Sequence, residues 1–270
     1  MNEKIKYSIA LAAFYLSLIG GLFAQSPYEL NWKKEALWLG LSAAGDVSAI
    51  IIAANTDALT EEAVAQLDKN DINSFDRIAV NYNSKQAQDL SDIVQYTSYA
   101  LPSLFLLNER IRKDYLTLGV MGLEAFLTNA AFTSLTKLTV KRVRPFAYNP
   151  DIALEDKTRL HSRMSFYSGH TSTVATLSFF SAKVYSDYFP ESKWKPVVWS
   201  VALVLPVVNG CLRVRGGKHF PTDVITGYIA GGLVGYLVPH FHKKKNKDKN
   251  QKVDFSLFGG GDTLGLLMTW

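Results

Sequence analysis

Apolar residues recur along this chain in helix-length blocks, roughly Ala36 to Ala54, Ile93 to Leu107, Tyr115 to Leu135, Thr171 to Phe189, Pro196 to Leu212 and Val224 to Phe241. Continuous apolar stretches of that length predict an all-α fold, a helical bundle of about six core helices. The last two blocks carry no Asp, Glu, Lys or Arg and read as membrane spans, which makes the bundle membrane-embedded. Asp46, Glu124 and Lys183 interrupt three others, and Ile93 to Leu107 is short, so those blocks are weaker spans. Between Asn55 and Asp92 the residues Asp57, Glu61, Glu62, Asp68, Asp71, Asp76 and Asp89 alternate with apolar ones, the pattern of amphipathic helices forming an acidic cap outside the bundle.

The two ends of the chain differ from this middle. Lys4 and Lys6 precede an apolar stretch from Ile9 to Phe23, and the small Ala24 stands before polar residues, so 1–24 reads as a signal peptide or, uncleaved, a signal anchor, with Leu22 favouring the latter. His242 to Lys252 is a lysine-rich run that cannot bury a core and suits a linker or a contact with acidic lipid headgroups. In 253–270, Val253, Phe255 and Leu257 alternate with polar residues before Gly259-Gly260-Gly261-Asp262, predicting a small C-terminal β-hairpin. The expected organisation is therefore 1–24 export segment, 25–92 first helix and acidic cap, 93–241 catalytic bundle, 242–252 basic linker and 253–270 tail.

Composition narrows the chemistry. A net charge of +5 favours an anionic partner. The basic tail has no aromatic interleaving, so nucleic acid is not expected. Cys211 is the sole cysteine, which excludes an intrachain disulfide, a thiolate metal cluster and a CxxC redox site; a small buried residue is its expected role.

Three polar clusters stand among the apolar blocks. Lys137, Lys141 and Arg144 have helical spacing and precede Pro145, so three cations at the end of one helix could receive a phosphoryl group, or simply flank a membrane. Ser168-Gly169-His170 opens a helical stretch, where free backbone N–H groups favour an anion, although Ser is also an ordinary cap. Arg213-Val214-Arg215-Gly216-Gly217-Lys218-His219-Phe220-Pro221-Thr222-Asp223 forms a loop between two apolar blocks, where an Asp can hold one imidazole nitrogen and leave the other free as nucleophile or base. Each fixed identity arises by chance roughly once in twenty, so nine at set spacings are not accidental.

With these residues the chain resembles the phosphatidic acid phosphatase type 2 superfamily, which includes bacterial acid phosphatases and vanadium haloperoxidases, and within it the bacterial membrane-associated lipid phosphatases. The family pattern is Lys-x6-Arg-Pro, Pro-Ser-Gly-His and Ser-Arg-x5-His-x3-Asp. Lys137, Arg144 and Pro145 match the first, Ser168, Gly169 and His170 the second, and Arg213, His219 and Asp223 the third. Tyr167 replaces the usual Pro and Leu212 the usual Ser, which removes one phosphate-oxygen hydrogen bond.

The resemblance implies a phosphatase that needs neither metal nor other cofactor. His219 would attack phosphorus, Asp223 orient it, and His170 protonate the leaving alkoxide. Lys137, Arg144, Arg213 and the backbone at Ser168 and Gly169 would hold the phosphoryl oxygens. Clusters at helix ends favour a lipid phosphate, monoester or diphosphate; a soluble non-specific periplasmic phosphatase and a haloperoxidase holding vanadate on His219 are the alternatives. Basic stretches at 108–114, 190–195 and after His240 contrast with the acidic 55–92 region. By the positive-inside rule the site then faces the periplasm from the bacterial inner membrane. Counting spans from a cleaved signal puts Lys137 on the wrong side, so one of Ala36 to Ala54 or Ile93 to Leu107 is expected not to span, unless the protein is periplasmic, soluble or peripheral.

Overall fold

The computed structural model describes residues 26–244, together with the backbone pairing of 254–260 and 263–269. The expected export segment and residues 245–252 of the basic linker lie outside the described residues. Six helices carry the fold: α1 (Trp32–Ala54), α2 (Lys85–Ser98), α3 (Tyr115–Val140), α4 (Gly169–Tyr188), α5 (Lys195–Arg215) and α6 (Pro221–His242). Strands β1 (Asp254–Gly260) and β2 (Thr263–Thr269) pair antiparallel, Asp254 opposite Thr269 and Gly260 opposite Thr263.

Helices α1, α3, α5 and α6 are long and apolar enough to cross a membrane. Their outward faces expose Leu37, Leu41, Ile50, Val201, Val204, Ile225 and Ile229. So broad an apolar surface belongs to a bundle embedded in lipid. The central helix α4 falls short of that apolarity because Ser and Thr fill it, and it is buried from Thr171 through Ser178 by its neighbours.

The block expected as a helix from Ile93 to Leu107 is broken. Helix α2 starts earlier, where Ser84 Oγ accepts the Ala87 N–H at 3.2 Å, and ends at Ser98. Pro102 disfavours helical backbone before it and opens a separate 3₁₀ turn, Pro102–Leu107. The boundary expected at residue 92 therefore falls inside α2. Together, α2 and this turn carry the chain down from the acidic region to Phe105, which packs with Ile111 and Tyr188 at the far end of the bundle. The chain thus runs between the two ends six times. Residues 27–29 and 242–244 meet at that far end, where Tyr28 pairs with Lys243 and the Glu29 N–H donates to the His242 carbonyl at 2.9 Å.

Helices α4 and α6 run parallel and almost backbone to backbone. A Cβ on Gly227, Gly231 or Gly235 would stand 2.6, 2.1 or 2.3 Å from the carbonyl oxygens of Ser168, Ser172 and Thr176. Glycine every fourth residue lets the helices approach, as in small-xxx-small membrane packing. Gly231→Ala is expected to lower stability by about 1–3 kcal/mol in thermal unfolding of the detergent-solubilised protein, whereas Gly40→Ala, whose Cβ would meet nothing within 4 Å, should not lower it.

Candidate active site

The upper ends of α3, α4, α5 and α6 converge. Helix α3 delivers Lys137 and stops at Lys141, which takes a left-handed φ of 51°. The chain then crosses the bundle end in extended form, and the Arg144 N–H donates to the Ser162 carbonyl at 2.8 Å. The buried Arg144 side chain donates to the carbonyls of His161 (2.9 Å), Met164 (3.1 Å) and Lys218 (3.1 Å). Lys137 Nζ shares the Met164 carbonyl at 3.3 Å. Neither Lys137 nor Arg144 pairs with a carboxylate among the described residues. Arg213, at the end of α5, donates to Ser91 Oγ (3.1 Å) and Asp92 Oδ1 (3.3 Å), while its buried Nε has no acceptor. With Lys137 and Arg144 held by neutral carbonyls and one carboxylate on Arg213, such a cluster of cations attracts an anion.

His219 is 1% exposed, in the turn between α5 and α6. Gly217 makes that turn with φ +68°, and a Cβ there would lie 2.2 Å from the Tyr82 carbonyl oxygen. His219 Nε2 is 3.5 Å from Arg144 Nη1, and Nδ1 is 3.6 Å from Asp223 Oδ2, beyond a hydrogen bond. Burial first, then Arg144, Lys137 and Arg213, hold the imidazole well below its ordinary proton affinity. It is therefore neutral, and because a guanidinium only donates, Nε2 offers it a lone pair.

Asp223 is fixed on all sides: Ser165 Oγ (2.5 Å) and the Phe220 N–H (2.9 Å) donate to Oδ2, and Arg142 Nη1 (2.6 Å) donates to Oδ1. Its carbonyl accepts the Ser168 N–H at 3.0 Å, joining the start of α4 to that of α6. Ser168 Oγ caps α4 through the Thr171 N–H at 3.4 Å, and Gly169 lies so close to Lys137 that an added Cβ would be 3.7 Å from Nζ. His170 Nε2 is 2.9 Å from Asp92 Oδ1, the carboxylate that also meets Arg213.

All eight residues singled out by sequence, Lys137, Arg144, Ser168, Gly169, His170, Arg213, His219 and Asp223, are thus brought to one end of the bundle. Lys141 lies at that end without joining them: helical spacing predicted it beside Lys137 and Arg144, but the helix ends at Val140 and Lys141 is exposed. Arg144 reaches the site from an extended segment rather than along a helix face. Cys211, expected to be buried, is exposed on the lipid side of α5. The acidic region, expected as an outer cap, reaches into the site. Asp76 is fully buried, accepting from Arg142 (2.7 Å) and from Thr222 N–H (2.9 Å) and Oγ1 (2.6 Å), and Asp92 joins His170 to Arg213. Arg142, which joins Asp76 to Asp223, was not among the residues singled out by sequence.

A cavity of about 600 Å³ opens between α1 and α3, lined by Leu37, Trp38, Leu41, Ala131, Phe132 and Leu135. A smaller one of about 250 Å³ continues along the same seam to Lys137, past Ala49, Ile50 and Leu138.

Residues 116–247 match the model of the PAP2 superfamily. The chain is 34% identical over 128 residues to phosphatidylglycerophosphatase B of Bacillus subtilis, covering 47% of this chain and 59% of that protein. It is 27% identical over 144 residues to undecaprenyl-diphosphatase of Sulfolobus acidocaldarius, covering 53% and 62%, and 31% identical over 139 residues to lipid A 4′-phosphatase of Porphyromonas gingivalis, covering 50% and 55%. The chain thus matches less than two thirds of the length of these relatives. A solved structure, a transmembrane PAP2 type phosphatidylglycerolphosphate phosphatase from Bacillus subtilis, is similar with a TM-score of 0.48 at 23% identity, covering 79% of this chain and 98% of that one. Residues 116–247, which hold all eight of these side chains, are a PAP2 superfamily region.

Proposed function

We propose that the chain is a phosphatase of lipid phosphate monoesters or diphosphates, working through a phosphohistidine on His219 without a catalytic metal. The observation that carries this reading is the neutral, buried His219 imidazole set among three cations that lack a full complement of carboxylates. His219 Nε2 attacks phosphorus as the bond to the leaving oxygen breaks; Asp223, held rigid by three donors, balances the imidazolium that forms. His170, positioned by Asp92, gives its proton to the leaving oxygen. A water, giving a proton back to His170, then attacks the phosphohistidine, the P–N bond breaks to return neutral His219, and inorganic phosphate leaves. Lys137, Arg144 and Arg213 supply fixed positive charge to the phosphoryl oxygens throughout.

The seam between α1 and α3 supports a lipid substrate, because its apolar cavity leads along the bilayer face to Lys137. The names of the similar proteins point the same way. Charge supports an outward-facing site: the end away from it carries Arg110, Arg112, Lys113, Lys193, Lys195, Lys243 and Lys244, which the positive-inside rule assigns to the cytoplasm.

Phosphate release from phosphatidate, phosphatidylglycerophosphate, a polyprenyl diphosphate and a soluble aryl phosphate tests this reading. His219→Ala should lose at least about 10³-fold in kcat with its unfolding temperature retained; full activity in that variant ends the mechanism. A preference for the soluble ester would instead favour the non-specific phosphatase. Asp92→Asn should lower kcat about 10–100-fold with KM little changed, since it touches the acid and not the bulk of the phosphate cradle.

His219 also gives a pH signature. The unfolded chain takes up a proton near 6.5 that the folded chain refuses, so this contribution to stability is present above that value and lost as pH falls below it. Between about pH 8 and 5 the melting temperature of His219→Gln should fall less than that of the wild type.

A further inference from the structure

A second cluster of ionisable groups lies at the opposite end of the bundle, about 20 Å along α3 from Lys137 by helical rise. Glu35 in the first turn of α1, Glu124 inside α3 and His242 at the end of α6 are 3%, 0% and 5% exposed. One ligand atom from each lies within 4.8 Å of the other two. His242 Nε2 is 3.1 Å from Glu124 Oε2 and 3.6 Å from Glu35 Oε2.

Four features distinguish this cluster from a buried ion pair. His242 Nδ1 donates to the Val238 carbonyl at 2.8 Å, which fixes the ring and leaves Nε2 directed at the carboxylates, the outer support usual for a metal-binding histidine. Glu35 spends Oε1 on the Asn31 N–H (2.6 Å) and keeps Oε2 for the cluster. Both oxygens of Glu124 are buried without a hydrogen-bond partner, although His242 Nε2 stands so near. Glu124 is off the ring's donor direction, where an ion on that axis would bring a second ligand. No Lys or Arg pairs with Glu35 or Glu124 among the described residues, so two buried carboxylates face one imidazole without a fixed cation.

We propose that Glu35, Glu124 and His242 bind a divalent first-row transition-metal ion, with Zn²⁺ as the probe, which ties α1, α3 and α6 together away from the catalytic end. Two carboxylate oxygens and one imidazole nitrogen suit Zn²⁺, whose ligands lie about 2.0–2.2 Å from the ion. The ion is structural, because it is remote from His219, and the phosphoryl chemistry proceeds without it. Its place also joins the first turn of α1 to the end of α6.

The test uses the full chain in detergent, stripped with chelator, reloaded with ZnCl₂ and freed of excess ion. The wild type should retain about one Zn²⁺ per chain by elemental analysis and unfold several degrees higher than the stripped form. Glu124→Gln and Glu35→Gln, which keep side-chain shape, should each bind at least about tenfold less and lose the zinc-dependent rise. His170→Ala should keep the full ion count, setting aside the catalytic histidines, and the stripped wild type should still release phosphate below its melting temperature. Should Glu124→Gln not fold, Co²⁺ absorption in the wild type, present in the native chain and absent in Glu35→Gln, decides the question. A wild type that retains less than about a tenth of an ion per chain, or a folded Glu124→Gln that binds as much as the wild type, overturns the proposal in favour of a proton shared within the triad.

Discussion

The structure depends on keeping Arg144 charged and buried without a carboxylate beside it. Removing a guanidinium from water is costly unless its donors are satisfied, and here the carbonyls of His161, Met164 and Lys218 satisfy them. Those three carbonyls come from two separate stretches of chain, so both the 160–165 region and the turn before α6 must hold still for the guanidinium to remain in place. Neutral acceptors solvate the cation without cancelling its charge. A carboxylate in the same position would be a better partner for Arg144 and would cancel the positive charge proposed to hold phosphate.

The remaining polar contacts of this end follow from that arrangement. Asp223 is placed beside His219 but is paired with Arg142, and Arg142 is paired in turn with Asp76, so negative charge is drawn away from the cradle toward an outer layer. The Arg142 guanidinium also lies 4.1 Å from the centre of the Phe220 ring, which closes this layer with an apolar lid. The register that makes these contacts possible is set deeper in the bundle. With Gly227, Gly231 and Gly235 against the α4 backbone, the starts of α4 and α6 can lie close enough for the Ser168 N–H to reach the Asp223 carbonyl.

What sequence revealed follows the same division. Residues meant to face an anion were legible, because cations, a Ser-Gly-His helix start and a Gly-rich turn are unusual between apolar helices. Residues that hold them were not. Asp76 and Asp92 sit in a stretch whose many carboxylates look like an ordinary solvated face, and only the fold separates the two buried or bridging ones from Asp57, Glu61 and Glu62, which solvent covers. The helix-face argument for Lys141 assumed that α3 continues to Pro145. The left-handed turn at Lys141 ends it four residues sooner, and that change of direction is what frees Arg144 to turn inward. Cys211 illustrates a different limit: in a bundle surrounded by lipid, an apolar residue gains nothing by facing the core rather than the bilayer, so hydrophobicity alone does not assign its side. The break in Ile93 to Leu107 was foreshadowed by Pro102, but the way α2 and the following turn share one passage depends on packing against α4 and α5.

That shared passage settles how the ends of the bundle relate. With six passages, Ser26 and Lys244 are on one side and all eight sequence-identified residues on the other; contrary to expectation, neither Ala36 to Ala54 nor Ile93 to Leu107 is skipped, so three passages separate Ser26 from Lys137 and an outward-facing site requires Ser26 at the cytoplasmic end. The two ends then present opposite electrostatic problems inside the same apolar framework. At one, Lys137, Arg144 and Arg213 exceed the carboxylates that reach them; at the other, Glu35 and Glu124 exceed the cations. Both imbalances are buried, so neither is relieved by solvent, and each calls for a counter-charge from outside the chain. A cradle reached along an open seam suits an anion that arrives, reacts and leaves. A triad enclosed by three helices, with Trp38 5.9 Å from the His242 ring, suits an ion that stays.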